Sequence, residues 1–348
     1  MLGLGLVLAL GSLSVGCGAS NKGVETGYTV DKTPSNEESQ NLIPINIGYP
    51  SAGGGWSAGA LGVAEVEGYL DDYLNPLGYK ANLQGFTGAA PAIHEALVAK
   101  DLDIASYASM AGISAKANGI DTTLIGIQGN SPIWEMVTLE TSQMTDITQL
   151  KGKSIAYVRG TATHEYLIKV LEEAHLTTSD VELVNMTTPE GISALVTGSV
   201  DAAVVSIGQE LSIENSVIIH DERSGGSERY YSPSIMTVRT DFLKDHKEAV
   251  VAFLEALLKA KDTIVGNPEA YYEFYAEKTG YSLEFVKTSI GADDLNETIP
   301  LSKSVEYLAK LESVQQFLMD NELIPSQVDF QTWIDDSYLQ EAVNEYKK

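Results

Sequence analysis

The chain has 348 residues, of which 44% are hydrophobic and 20% are charged, so it is long enough to bury two separate cores. Its 48 acidic and 22 basic residues give a formal net charge of −26. This charge argues against binding nucleic acid or an anionic membrane surface through the body of the protein. It favours a soluble monomer, and it requires any anion site to be built locally.

The first 17 residues have the composition of a lipoprotein leader. Residues 1–16 are small and apolar, and the run is too short to span a membrane as a helix. It ends at Ser14-Val15-Gly16-Cys17 and resembles a bacterial leader whose cysteine receives a lipid, although it lacks an early Lys or Arg and has serine at position 14 where leucine is usual. The sequence predicts a signal peptide with a lipidated Cys17 over 1–17, then a flexible polar tether over 18–43. Because Cys17 is the only cysteine, no intrachain disulfide is expected.

The body begins with alternating strands and helices, which predict an α/β fold. The predicted elements of its first part are strands at Ile45–Tyr49, Lys80–Phe86, Leu102–Tyr107 and Thr123–Gln128, and helices at Ser57–Tyr73 and Thr87–Lys100. The glycines at 53–55 match neither a phosphate loop nor a dinucleotide fingerprint. We interpret Gly55 as a point of close backbone approach to a ligand, with Trp56 as an apolar wall. The alternative is a plain turn with a core tryptophan.

A charged turn joins the next predicted strand and helix. The strand ends at Arg159, Gly160 permits a tight turn, and a helix follows from His164. Thr161 and Thr163 stand where they could cap that helix, and the N-terminus of a helix favours an anion. The turn is therefore a candidate anion site. The alternative has Arg159 pointing to solvent and the hydroxyls serving only as caps.

One helix–turn–strand element occurs twice in the sequence. Ala96–Ala105 and Ala194–Ala203 match at a fixed offset, which makes Asp103 equivalent to Asp201. Two similar α/β lobes explain the match, and chance similarity is the alternative. Between the copies, a strand at Val181–Asn185 and a helix beginning near Thr188 form another unit.

Two breaks divide the body into lobes. The breaks are Gly129–Pro132 and Ser224–Ser227, and the strand Ile235–Arg239 is predicted to rejoin the first lobe. We expect lobe 1 to contain residues 44–131 and 234–348, and lobe 2 residues 132–233. The remaining predicted helices clad the first lobe at Lys244–Val265, Pro268–Lys278, Ser282–Ile290, Ser302–Asp320 and Thr332–Lys347.

Three stretches carry a resemblance to a known family: Leu150–Ala162, Leu171–Asp180 and Ala194–Ala203. They resemble the solute-binding proteins of ABC importers for sulfonates, taurine, nitrate and thiamine-pyrimidine precursors. The resemblance implies a two-lobed, periplasmic-binding-protein-like α/β fold of type II, with mixed sheets flanked by helices and a ligand cleft between the lobes. The sequence departs from the family at Ser206–Glu210, which replaces an aromatic-acid-proline element.

No pattern of catalytic or metal-binding residues accompanies this fold. The five histidines lack the spacing of a zinc-binding helix, and no Gly-x-Ser-x-Gly motif is present. We therefore predict no catalytic residue, no metal and no cofactor.

The predicted ligand site combines turns at the carboxyl ends of strands. Its residues are Gly55, Trp56, Thr87, Ser109, Met110, Arg159, Thr161 and Thr163. We predict a lipid-anchored extracytoplasmic or periplasmic solute-binding protein that delivers a small organic, sulfonate-like anion to ABC permease subunits. The alternative is an enzyme, or a protein that handles pyrimidine or thiamine precursors, because fungal pyrimidine-precursor synthases resemble the same fold.

Overall fold

A computed structural model of the chain describes residues 42–51, 56–87, 89–130, 133–222, 232–290 and 294–348. Within these ranges the chain forms two five-stranded mixed sheets flanked by helices. The predicted α/β class with mixed sheets is therefore confirmed.

The first sheet contains β1 (Ile43–Pro50), β2 (Tyr79–Phe86), β3 (Ile104–Ala108), β4 (Thr122–Asn130) and β10 (Pro233–Arg239). Its strand order is β2-β1-β3-β10-β4. β1 pairs in parallel with β2 and β3, whereas β10 lies antiparallel between β3 and β4. The prediction that the strand after the second break rejoins the first lobe is confirmed.

The second sheet contains β5 (Trp134–Leu139), β6 (Ser154–Tyr157), β7 (Glu182–Asn185), β8 (Ala202–Ser206) and β9 (Ser216–Asp221). Its order is β7-β6-β8-β5-β9, with β6 parallel to β7 and β8, and β5 antiparallel to β8 and β9. The sequence pattern did not identify β5 and β9. In each sheet four strands therefore run in the same direction, and one antiparallel strand, β10 or β5, is inserted between the third and the fourth.

Helices cover both faces of each sheet. They are α1 (Gly59–Val66), α2 (Tyr69–Leu74), α3 (Ala89–Ala99), α4 (Ser109–Ala117), α5 (Ala162–Glu173), α6 (Thr188–Val196), α7 (Thr240–Asp245), α8 (Lys247–Gly266), α9 (Pro268–Thr279), α10 (Leu283–Phe285), α11 (Leu295–Thr298), α12 (Leu308–Asp320), α13 (Phe330–Trp333) and α14 (Ser337–Tyr346). The adjacent β3 residues Ile104 and Ala105 belong to different hydrophobic clusters, as do Ala202 and Ala203 of β8. Because alternate residues of a strand face opposite sides, each sheet is buried on both faces.

Two predicted helices are interrupted in the structure. The helix expected over Ser57–Tyr73 is divided into α1 and α2 at Gly68, whose φ of 78° lies in the left-handed region. Glycine adopts this conformation without steric strain, so the chain turns there. The helix expected from Lys244 is divided into α7 and α8 at His246.

The repeated element predicted from the sequence has the same structure in both halves. Asp103 accepts a hydrogen bond from the backbone N–H of Asn46 at 2.8 Å, and Asp201 accepts one from the backbone N–H of Ser154 at 2.9 Å. Each aspartate therefore ties the start of its strand, β3 or β8, to the neighbouring parallel strand, β1 or β6. Similar hydrogen bonds in the two copies explain why the same sequence pattern occurs twice.

Some predictions concern residues outside the described ranges. These are Cys17, the tether up to residue 41, Gly55, and the breaks at Ser131-Pro132 and 223–231. Among the helices that the structure describes, none has both the length and the apolar character needed to cross a bilayer.

Candidate functional site

The parallel strands of each sheet end at one edge, and most of the predicted site residues follow those ends. β1, β2 and β3 lead into Ser51, Thr87 and Ser109, and β6 leads into the turn at Val158–Thr163. Small ligands of open α/β sheets bind outside the carboxyl ends of the strands. The fold thus presents these residues on the edge where a ligand is expected.

Arg159 is exposed at the edge of the second sheet. Its backbone N–H donates to Oδ1 of Asn185 at 2.9 Å, which fixes the turn to the end of β7. Gly160 has a φ of 75°, and this lets the chain reverse from β6 into α5. Among the described residues, no carboxylate pairs with the Arg159 guanidinium. In a chain with such an excess of acid, this leaves a local positive charge for an anion.

Thr161 and Thr163 shape the turn, but they do not cap α5 with their side chains. The Thr161 hydroxyl donates to the carbonyl oxygen of Val158 at 2.8 Å, and the Thr163 hydroxyl accepts from the Val158 N–H at 3.1 Å. The expected side-chain cap is therefore wrong, because both hydroxyls bond back to the end of β6. The first N–H groups of a helix have no partner within it, so the N-terminus of α5 carries a partial positive charge that favours an anion.

His164 lies in the first turn of α5 and was not predicted as a site residue. Its Nδ1 accepts from the Gly160 N–H at 3.4 Å. The ring lies 4.9 Å from that of Tyr157 and 5.4 Å from that of Phe317. Burial, with the nearby charge of Arg159, lowers the pKa of His164 to about 4. The imidazole is therefore neutral at pH 7, and with Nδ1 accepting, its proton is on Nε2.

Trp56 packs against aromatic residues that the sequence pattern did not connect with it. Its ring meets those of Phe274 and Tyr275 of α9 edge-on, at 5.6 and 5.5 Å. Tyr281 meets Phe285 edge-on at 5.2 Å, and burial together with Tyr281 raises the pKa of Tyr275 to about 12. We call Trp56, Phe274, Tyr275, Tyr281 and Phe285 the aromatic wall. The only sequence signal for this surface is the aromatic richness of the C-terminal helices, whose spacing predicts cladding of the first lobe.

The other three predicted residues of the first lobe differ in their access to a ligand. Thr87 is exposed in the turn before α3. Ser109 is fully buried, and its hydroxyl bonds to that of Ser232 at 2.9 Å. Met110 is only 1% exposed and belongs to the hydrophobic core that includes α12. The expectation that Met110 supplies apolar surface to a ligand is therefore corrected, since its side chain faces the core.

Two contacts join the second sheet's edge to the C-terminal helices of the first lobe. One is the contact between His164 and Phe317 of α12. The other is at Gly208, where an added Cβ would lie 2.7 Å from Cζ of Tyr281 and 3.0 Å from Cε1 of Phe285. Gly208 also has a φ of 89°. Gly208 lies within Ser206–Glu210, where the sequence departs from the family pattern. Because it has no side chain, it leaves room for Tyr281 and Phe285 of the aromatic wall.

Buried carboxylates lie in the same lobe as the Arg159 turn. Glu165 is 2% exposed and bonds to Lys169 at 2.6 Å, and Glu222 is 5% exposed and accepts from the Trp134 N–H at 3.1 Å. Burial, with Glu165 adding to it, raises the pKa of Glu222 to about 8. Glu222 is therefore largely uncharged at pH 7, which reduces the repulsion of an anion by this lobe.

The arrangement as a whole is suited to holding a small molecule. It offers a guanidinium, helix N–H groups, a neutral imidazole and an aromatic surface. Within the part of the chain that the structure describes, no group of three or more His, Cys, Asp or Glu side chains is placed to hold a metal ion.

Comparisons with known proteins agree with this architecture. Over its whole length the chain is 26% identical to an aliphatic sulfonates-binding protein of Bacillus subtilis (strain 168), with 99% of this chain and 97% of that protein aligned. The structure is similar to that of the periplasmic sulfonate-binding protein SsuA of Methylobacillus flagellatus KT, with a TM-score of 0.73, 22% identity, and coverage of 88% and 96% of the two chains. It is also similar to the desulfurization enzyme DSZB, with a TM-score of 0.70, 20% identity, and coverage of 87% and 99%.

A family model also matches more than half of the chain. The match covers residues 87–271, from the turn after β2 to α9, and includes the whole second sheet. Because the matched stretch contains both copies of the repeated element and the Arg159 turn, it coincides with the parts of the chain that form the edges described above. The chain belongs to the NMT1/THI5-like family.

Proposed function

We propose that the protein is an extracytoplasmic solute-binding protein of an ABC importer, which captures a small organic, sulfonate-like anion between its lobes. The observation that carries the proposal is the Arg159 turn, where a guanidinium that pairs with no carboxylate among the described residues stands beside the N-terminus of α5. The aromatic wall supports a ligand with an organic body as well as an anionic head. The relatives named for sulfonate binding support the same class of ligand.

The proposal includes a membrane anchor and a membrane partner. The apolar leader, Cys17 and the polar tether support attachment through a lipid on Cys17. The anchor would keep a monomeric receptor close to the permease subunits that accept the ligand.

Calorimetry on Arg159→Ala tests the ligand site. The panel of probes comprises ethanesulfonate, taurine, nitrate, acetate and an aminopyrimidine. A hydrogen bond between charged groups contributes about 1.5–3 kcal/mol, so the variant should bind the preferred sulfonate about tenfold to a hundredfold more weakly. Lys151→Ala is the matched control, because it removes the same charge from the opposite end of β6. Equal affinity of Arg159→Ala and the wild type would remove Arg159 from the site.

Fractionation of cells that express Cys17→Ala tests the anchor. The variant should leave the membrane fraction or keep its leader, because no lipid can be attached to alanine. A mature, membrane-bound Cys17→Ala protein would show that the anchor is elsewhere.

An enzyme on the same fold is the second candidate, and the likeness to DSZB favours it. The only cysteine of this chain is Cys17 of the leader, so the mature body lacks a thiol nucleophile of its own. Incubation of the purified protein with aromatic sulfinates and with pyrimidine precursors distinguishes the candidates. Recovery of unchanged compounds supports the receptor, and release of sulfite or a pyrimidine product supports the enzyme.

A further inference from the structure

We propose that His164 is a ligand-binding residue, whose Nε2–H donates a hydrogen bond to the oxyanion held at the Arg159 turn. The inference rests on the proposed function and adds a residue to it. It also narrows the ligand to an oxyanion attached to an organic group.

The orientation of the imidazole is set by its own turn. The Gly160 N–H donates to Nδ1, so in the neutral ring Nε2 carries the proton and points away from that N–H. Among the residues that the structure describes, the imidazole has no other hydrogen-bond partner. The His164 side chain as a whole is 5% exposed, and its Nε2 is not one of the fully buried polar atoms that lack a partner. A ligand oxygen at the start of α5 would accept a hydrogen bond from this N–H.

The same ring touches the other lobe. Phe317 of α12 meets it edge-on at 5.4 Å, and Tyr157 packs against it at 4.9 Å. His164 therefore lies where the two lobes meet, and a ligand bound at the Arg159 turn would be covered on this side when the lobes are together. Ligand binding and lobe contact would then involve a single side chain.

The neutral state of the ring indicates which ligands it suits. A pKa lowered to about 4 makes His164 a donor without charge at neutral pH, so Arg159 and the helix N-terminus supply the positive potential. Imidazole and phenyl faces beside the anionic head favour an organic substituent over a fully hydrated inorganic ion. A sulfonate with an alkyl or aryl group fits these surroundings better than nitrate does.

Two substitutions at His164 separate donation from packing. His164→Phe retains an aromatic ring against Phe317 and removes the donor, whereas His164→Gln retains a donor. With ethanesulfonate as the probe, His164→Phe should bind about tenfold to a hundredfold more weakly than the wild type. His164→Gln should stay within about threefold of the wild type. The exposed His175, changed to Asn, is the control for loss of a histidine and should bind as the wild type does.

A spectroscopic measurement on the unmodified protein supplies an independent readout. With nitrogen-15 in the histidines, the Nε2–H signal of His164 should become protected from exchange with water when ethanesulfonate is added. Normal affinity of His164→Phe together with an unprotected Nε2–H would overturn the inference while leaving the proposed function intact. Failure of the wild type to bind any sulfonate of the panel would overturn both.

Discussion

Individual buried groups set how this protein responds to pH. Glu222 lies at the end of β9, where its carboxyl accepts from the Trp134 N–H and is close enough to Glu165 to be affected by its charge. A carboxyl whose pKa is near 8 when folded and near the ordinary 4.5 when unfolded binds a proton more readily in the folded state. Its contribution to stability is complete below about pH 4.5 and is lost as the pH rises towards 8.

Glu222→Gln should remove this dependence. Glutamine can still accept from Trp134 and has no charge to bury, so the difference in unfolding free energy between variant and wild type should grow with pH. We expect the variant to gain on the order of 3 kcal/mol relative to the wild type between pH 4.5 and pH 8. Chemical denaturation at several pH values measures the unfolding free energy of both proteins. The control is Glu182→Gln, which changes an exposed glutamate. A difference that stays constant with pH would show that Glu222 is ionised in the folded state.

At the scale of elements, the two copies of the repeated helix–turn–strand unit have the same turn conformation but differ in backbone strain. Lys100 and Gly198 occupy equivalent positions after α3 and α6, with φ angles of 64° and 71°. Glycine suits the left-handed region, whereas a residue with a Cβ is strained there. The turn that follows each helix thus tolerates lysine in one lobe and has glycine in the other.

Gly198→Ala should therefore destabilise the protein. A Cβ at Gly198 would meet no atom within 4 Å, so the substitution causes no clash. The positive φ alone should lower the free energy of unfolding by about 1–2 kcal/mol. Gly266→Ala is the matched control, because its Cβ also meets open space but its φ is not in the left-handed region. The melting temperature should fall for Gly198→Ala and should not fall for Gly266→Ala. Equal melting temperatures of the two variants would mean that the turn relaxes to accept alanine.

At the scale of the whole molecule, the two lobes meet through residues distant in sequence. The aromatic wall reaches Gly208 through Tyr281, and Phe317 reaches His164. A ligand between the lobes contacts both of them only when the lobes are closed. Ligand binding therefore shifts the population towards the closed conformation.

Gly208→Ala should hinder this closure. The added Cβ would overlap Tyr281, so the variant should have a larger radius of gyration than the wild type in small-angle scattering with saturating ethanesulfonate. Adding Tyr281→Ala to Gly208→Ala should restore part of the compaction, because it removes the clash without changing the strain at φ 89°. Scattering curves that coincide for Gly208→Ala and the wild type would contradict a role for this contact in closure.

The sequence by itself determined the local features of this protein. Alternating strand and helix patterns, the repeated element and the turn at Arg159–Thr163 depend on interactions within a few residues, and they could be predicted from spacing and residue type. The α/β class and the return of Ile235–Arg239 to the first sheet followed from them.

Only the tertiary structure decided which distant side chains share a surface. The contacts of Phe317 with His164 and of Tyr281 with Gly208 depend on how the C-terminal helices pack across the sheets, and no local pattern encodes that packing. For the same reason Met110, apolar and beside a strand end, could not be assigned to core or ligand until its burial was known. The threonines of the Arg159 turn were expected as caps because local chemistry allowed it, but bonds to the end of β6 use the same hydroxyls.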